Sequence, residues 1–480
     1  MLGFGQEFKS INPATGEVIW QGRADTEADI SLAIDNAREA FKSWSRLSFE
    51  TRRDYVAKFI ELLTRERHFI AHAISKEVGK PLWESETEVA TMINKFKISV
   101  ESYQDRTGLR EQGLSVTRHK PIGVMAVFGP YNFPAHVPNG HIIPALLAGN
   151  TIVFKPSELT PMVAEEVVKL WHQAGLPIGV LNLVQGGADA GVMLTKDDRI
   201  DGYLFTGSSR TGIAIHQALA GKPHKMLALE MGGNNPLIIH DINDYKAAAY
   251  LTVQSAFLTS GQRCTCARRL ILSEGEEARK FMEVFMAMTS RLKIGAYHHD
   301  DIFMGPVINA KQAENLLASQ KAFVAGGGCA LLPMERNYLG GYEDKSLTAF
   351  LSPGIVDVTD CIDREDHENF GPLLQVVRVK NIDEAIAEAN NTSYGLSAGL
   401  ISNNASLYDR VRNEVRAGLI NWNQQLTGAS SGAPFGGIGL SGNFRPSAYY
   451  AADYCAYPVS SMETAELKLP ENISPGVKLD

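Results

Sequence analysis

The stretch Ile122-Gly123-Val124-Met125-Ala126-Val127-Phe128-Gly129-Pro130-Tyr131-Asn132-Phe133-Pro134 decides how this chain is read. A short apolar run ends abruptly in a Gly-Pro turn, and polar Asn132 follows at once. Comparable runs recur at Thr151–Phe154, Leu181–Val184, Tyr203–Phe205 and Met226–Leu229. About 20–30 mostly helix-like residues separate them, the spacing of βα units in a parallel sheet. Several of the runs end in turn or polar residues: Lys155-Pro156, Gly186-Gly187 and Thr206-Gly207. In an open α/β sheet the ligand crevice lies at the carboxyl ends of the strands, so these ends are the first place to seek a site.

Outward from this core the pattern changes. Asp25–Trp44 and Arg52–Val78 carry apolar residues at three- and four-residue spacing and predict helices, with a third from Trp83 to Tyr103. The segment Ile11–Trp20 reads as a turn feeding a strand. After Glu230 a second αβ region shows apolar runs at Pro236–Ile239, Arg269–Leu272, Gly354–Val358, Leu374–Val379, Ala398–Ile401 and Leu419–Trp422. A Gly/Ser-rich stretch, Gly428 to Gly442, separates it from an aromatic tail, Tyr449 to Tyr457. The expected architecture is α/β: one α/β domain, a second α/β domain and a terminal arm.

Composition limits the function. The 480 residues hold 46 Lys+Arg and 54 Asp+Glu, a net charge of −8, with 44% hydrophobic and 21% charged residues. That is ordinary globular usage, which excludes a disordered chain, and the length suggests two or three domains. The acidic balance argues against a general nucleic-acid or anionic-membrane partner, though not against an anionic small molecule bound by local cations. No secretory signal and no apolar run of about 18 residues is visible, so no membrane span is expected. Five sparse cysteines fit a reduced, cytoplasmic enzyme.

Several residues could carry chemistry. Gly261-Gln262-Arg263-Cys264-Thr265-Cys266 sets a cysteine on a glycine-led loop before a strand. Zinc would need a second ligand pair, and none is evident, so no metal is expected. The helix end before the loop would not lower a thiol pKa, so activation of Cys264 must come from a base or a bound cofactor. Leu229-Glu230-Met231-Gly232-Gly233 puts a carboxylate at a strand end beside two glycines, the placement of a general base whose pKa burial raises. Asn132 is a neutral donor suited to an oxyanion. Gly207-Ser208-Ser209-Arg210-Thr211-Gly212 has P-loop glycine spacing without the following Lys-Ser/Thr, so ATP hydrolysis is not supported. What remains is a strand entering a helix whose free N–H groups could hold a phosphate. Lys155 and Glu158 flank another strand end, and a carboxylate there suits ribose hydroxyls and repels a 2′-phosphate.

Together these pieces resemble the NAD(P)-dependent aldehyde dehydrogenase superfamily along nearly the whole chain. Eight stretches match in family order and spacing: Asn12–Gly16, Pro130–Pro134, Phe154–Glu158, Phe205–Ser208, Leu229–Gly233, Gly261–Cys264, Glu368–Pro372 and Pro434–Gly437. The resemblance implies a modified Rossmann cofactor domain (1–105 and 121–229), a catalytic domain (230–442), and an oligomerisation arm and tail (106–120 and 443–480). It implies Cys264 as nucleophile, Glu230 as general base, and Asn132 with the Cys264 N–H as oxyanion donors. It further implies Lys155 and Glu158 at the adenosine ribose, Gly207 to Gly212 at the phosphates, and Glu368 and Phe370 at the nicotinamide half. The cofactor is expected to be NAD and the assembly a homodimer or homotetramer.

His136 and Gly140 replace bulkier apolar residues of the common family pattern. Together with Gly261–Arg269, Ile420–Asn423 and Asn443–Ala448, they look like a subgroup oxidising a semialdehyde with several carboxylates. Such an anionic substrate needs fixed cations, and Arg263, then His136 and Arg445, are the candidates. Another semialdehyde, a CoA-dependent acylating reaction and a non-catalytic paralogue are the competing readings.

Overall fold

The computed structural model describes residues 2–337, 348–362 and 364–479. Its first sheet has five strands, Val124–Phe128, Thr151–Lys155, Leu181–Leu183, Gly202–Gly207 and Met226–Met231. All of them pair in parallel. In space the Leu181 strand lies at one edge, followed by the Thr151, Val124, Gly202 and Met226 strands. Strand order therefore reverses between the Val124 and Gly202 strands, the point at which such sheets leave a crevice. The central strands are buried throughout, which is why they read as unbroken apolar runs.

Helices cover this sheet. Glu27–Trp44 begins with a capping box in which Thr26 and Asp29 satisfy each other's backbone N–H groups. The expected helix over 52–78 is two helices, Phe49–Arg65 and Arg67–Val78, broken at Glu66 (φ −92°, ψ 11°). Each half turns its own apolar stripe to the core, Val56, Phe59 and Leu63 in one and Ile70, Ile74 and Val78 in the other. The next helix, Leu82–Thr107, buries charged residues as well: Glu84, Glu88 and Lys95. The turn near Asn12 links two paired strands, Glu7–Ile11 and Val18–Arg23.

A second sheet has seven strands, ordered Cys329–Leu332, Gly354–Asp357, Leu373–Val379, Ala267–Ser273, Asn235–Ile239, Ser397–Ile401 and Leu419–Trp422. Only the Cys329 strand runs antiparallel to its neighbour. A small antiparallel sheet joins Arg110–Gln112 and Ser115–Pro121 to Ala456–Met462, the strand that follows the aromatic tail. The Gly/Ser-rich stretch is packed structure, not a spacer. Pro434–Phe435 pairs with Ser447–Ala448, and the buried Ser441 hydroxyl donates to the Gly232 carbonyl at 2.7 Å.

Candidate active site

A cleft of about 820 Å³ opens at the carboxyl ends of the first sheet and is closed from the other side by the second αβ unit. Asn132, Lys155, Glu158, Gly207, Ser208, Arg210, Thr211 and Glu230 line it from one side, and Cys264, Glu368 and Phe370 from the other. Residues far apart in sequence thus meet in one place.

Cys264 sits on a loop of unusual backbone. The helix Tyr245–Phe257 ends in Thr259 (φ 55°, ψ 33°), Ser260 (φ 54°, ψ 38°) and Gly261 (φ 69°), three left-handed residues in a row. Such conformations are costly outside glycine and persist only where the surroundings impose them. At Gly261 a side chain is also excluded, because a Cβ would come within 2.1 Å of the Gly371 carbonyl. The fully buried Arg268 guanidinium donates to the carbonyls of Gly261 (2.7 Å), Arg263 (2.9 Å) and Gly371 (3.2 Å). Asn235 Nδ2 holds the Cys264 and Cys266 carbonyls at 2.7 and 2.8 Å. The Cys264 carbonyl is thereby pinned, and among the described residues nothing accepts from its N–H. Burial, with Glu368 and Glu230 nearby, pushes the Cys264 thiol up to about 12, so in this state the sulfur is protonated. All five cysteines are free.

Glu230 is the last residue but one of the Met226–Met231 strand and is almost wholly buried. Its Oε1 accepts from the Ser447 N–H at 3.1 Å, and its Oε2 has no partner. Burial raises its pKa well above the ordinary carboxylate value, as proton-accepting work near neutrality requires. Asn132 follows the Val124–Phe128 strand, and its Nδ2 donates to the Gln262 carbonyl at 2.8 Å, two residues before Cys264. The amide carries a second hydrogen that can serve an oxyanion.

On the cofactor side, Ser208 caps the helix Ser209–Ala218 by accepting from the Thr211 N–H, so the helix N-terminus faces the cleft. Ser209 and Gly212 do not line it. Ser209 Oγ lies 3.0 Å from the Tyr394 hydroxyl, and Gly212 is buried, where a Cβ would stand 2.3 Å from Met231 Sδ. Both therefore support the turn from behind. Lys155 Nζ donates to the Pro156 carbonyl at 2.9 Å and lies 3.9 Å from half-exposed Glu158, and burial lowers its pKa. Burial raises Glu368 to about 7 despite Arg268 at 3.7 Å. Gly232 makes room for it, since a Cβ there would stand 1.7 Å from Glu368 Oε2. Phe370 meets Tyr131 edge-on at 5.9 Å. A helix N-terminus, a lysine and carboxylate at strand ends, and a cleft of this volume fit a dinucleotide.

The three expected substrate cations fare differently. Arg263 is ion-paired with buried Glu84 at 3.0 Å, and its Nε donates to Thr259 Oγ1 at 2.7 Å. Among the described residues its Nη1 has no acceptor. His136 cannot supply the charge expected of it, because burial and the neighbouring Lys95 and Lys80 lower its pKa to about 3. Arg445 is exposed beside exposed Phe444, and none of the three cations is among the residues lining the cleft. Sequence reading missed Glu84, Glu88, Lys95 and Arg268. Only a charged residue at a core-facing helical position could have flagged the first three.

The aldehyde dehydrogenase family model matches residues 3–458. Over its full length the chain is 52% identical to N-succinylglutamate 5-semialdehyde dehydrogenase of Hahella chejuensis, covering 97% of that protein. It is 51% identical to the protein of the same name from Pseudomonas fluorescens, covering 98% of it. Among solved structures, an NAD-dependent aldehyde dehydrogenase from Sinorhizobium meliloti superposes with a TM-score of 0.90 at 27% identity, over 97% of this chain and 93% of that one. Betaine aldehyde dehydrogenase of Staphylococcus aureus in complex with NAD+ gives 0.88 at 26%, over 98% and 94%.

Proposed function

Because the chain belongs to the aldehyde dehydrogenase family, we propose that it oxidises N-succinylglutamate 5-semialdehyde to N-succinylglutamate with NAD, a step of arginine breakdown through succinylated intermediates. The observation that carries the reading is the convergence of Cys264, Asn132 and Glu230 on one cleft. The names of two relatives, each about half identical over the whole chain, supply the substrate.

Each residue has a role that follows from its surroundings. The Cys264 thiol gives up its proton to solvent water and the sulfur attacks the aldehyde carbon, forming a thiohemiacetal. The second Asn132 amide hydrogen and the Cys264 N–H meet the developing oxyanion. A nicotinamide cofactor held by Lys155, Glu158 and the N-terminus of the Ser209–Ala218 helix would supply the hydride acceptor, and loss of hydride from that carbon leaves a thioester on Cys264. Glu230, with Oε2 open and Oε1 fixed by Ser447, takes a proton from water, and the hydroxide releases the acid. The half-exposed Glu158 carboxylate at the cleft favours NAD, because a 2′-phosphate would meet negative charge. Arg263 Nη1 is the cation offered to a substrate carboxylate. The five free thiols agree with a cytoplasmic enzyme, and a homodimer or homotetramer is proposed through the small antiparallel sheet.

The test is catalytic efficiency on a panel of semialdehydes with NAD and with NADP. The succinylated five-carbon substrate with NAD should lead. A clear preference for succinate semialdehyde would replace the substrate, and acyl-CoA as the main product would replace hydrolysis.

A further inference from the structure

Beneath the reacting groups lies a buried ionic cluster that the chemistry above does not use. Glu84 and Glu88 stand one turn apart on a single face of the Leu82–Thr107 helix, and both carboxylates are wholly buried. Glu84 Oε1 accepts from the Thr259 N–H (3.1 Å), the Thr259 hydroxyl (2.9 Å) and Arg263 (3.0 Å). These are groups of the left-handed loop that carries Cys264. Glu88 Oε1 accepts from the Ala135 and His136 N–H groups, each at 3.1 Å, at the start of the His136–Ala148 helix just after Asn132. Its Oε2 is paired with buried Lys80, which lies over the Phe133 ring at 3.6 Å. Two carboxylates are matched by two cations, Lys80 and Arg263, so the cluster can stay charged in the interior.

We propose that Glu84 and Glu88 are positioning residues that fix the nucleophile loop and the oxyanion loop relative to each other through one rigid helix. Among the described residues one hydrogen bond ties those loops directly, Asn132 Nδ2 to the Gln262 carbonyl, beside the Arg263 guanidinium at 5.1 Å from the Phe133 ring. That bond engages the same amide that must meet the oxyanion, so it leaves the distance between the loops to other groups. The helix supplies what is missing. Glu84 holds Thr259, the first of the three left-handed residues, and Glu88 fixes the chain direction at Ala135. A shift of about 1 Å in either loop is enough to cost about a hundredfold in rate. The inference rests on Cys264 being the nucleophile, not on the identity of the aldehyde.

The experiment separates reactivity of the thiol from its alignment. Alkylation of Cys264 by iodoacetamide needs only the sulfur. The first-turnover burst of nitrophenolate from p-nitrophenyl acetate needs the sulfur and the oxyanion donors in register, continued turnover adds deacylation by Glu230, and neither assay needs NAD or an aldehyde. Glu84→Gln and Glu88→Gln should each lower the burst rate tenfold or more while leaving the Cys264 alkylation rate within about threefold. Should either variant fail to fold, Thr259→Val decides, because it removes the hydroxyl between Glu84 and Arg263 without stranding a charge. A burst rate unchanged in folded variants, or alkylation falling in parallel with it, overturns the proposal. Cys264→Ala retaining ester turnover would instead overturn the nucleophile assignment, and a different best aldehyde would leave this test untouched.

Discussion

The protonated state of Cys264 leads to a measurement on the protein without cofactor. Its thiol stands at about 12 against a usual value of 9.0, with burial the largest cause and Glu368 and Glu230 next. Three units leave about a thousandfold less thiolate at pH 8, or about 4 kcal/mol. A more basic thiolate is also more nucleophilic, with a Brønsted slope of about 0.4–0.5, which recovers about 15- to 30-fold. Net alkylation at pH 8 should therefore be about 30- to 70-fold slower than for an unstructured cysteine peptide. The rate should climb about tenfold per pH unit through pH 10 without levelling. Iodoacetamide labelling followed by peptide mass spectrometry measures it, with exposed Cys329 as the reference within the same molecule. Glu368→Gln removes the second-largest cause and should raise the rate, though burial keeps it below the peptide's. A plateau below about pH 9, or labelling of Cys264 as fast as Cys329 at pH 8, would refute the reasoning. The acid-flanked site would then not hold the thiol protonated.

Three further outcomes are expected. Glu230→Gln keeps the shape of the carboxyl but loses its basicity, so steady turnover should fall 10²- to 10⁴-fold while one equivalent of reduced cofactor per site still forms in a rapid burst, measured by stopped flow. Glu158→Gln should narrow the preference for NAD over NADP about tenfold, about 1.4 kcal/mol, read from the two kcat/KM values. Lys95 is a buried amine whose pKa burial lowers from 10.5 to about 8, and it donates to the Ala448 carbonyl at 2.7 Å. Its charged form is disfavoured in the fold. The penalty is full below about pH 8 and fades as pH rises to 10.5, where the unfolded amine also loses its proton. At pH 7 the 2.5-unit difference amounts to about 3 kcal/mol, offset by about 1 for the hydrogen bond. Lys95→Met should therefore be the more stable protein at pH 7, and its advantage should vanish by about pH 10 in urea titrations.

What could be read from the sequence follows from physics local to each segment. The five strands of the first sheet are legible because a strand buried on both faces is a plain apolar run ended by a turn. Cys264, Glu230 and Asn132 stand in stretches that glycine or proline shapes, but they become legible only through the family resemblance of those stretches, taken together. The break at Glu66 is not, since the apolar pattern continues through it and only tertiary packing divides the helix. The partner of Arg263 is not either: Glu84 lies 179 residues away. His136 looks like a cation in sequence and is neutral in place because burial, and then Lys95 and Lys80 from other segments, lower its pKa. Gly212 carries the spacing of a phosphate loop but meets Met231 instead, which only the helix-to-strand contact reveals.

The carboxyl of Glu230 is steadied by the N–H of Ser447, and that short strand is itself tied to the long helix through Lys95 and the Ala448 carbonyl. Beyond it, Ala456–Met462 closes the small sheet against Ser115–Pro121. The base is therefore held by a backbone group 217 positions further along the chain. Loosening that strand or its tie to Lys95 would disorganise the hydrolytic half of the site while leaving the Asn235 and Arg268 contacts that hold the Cys264 loop in place.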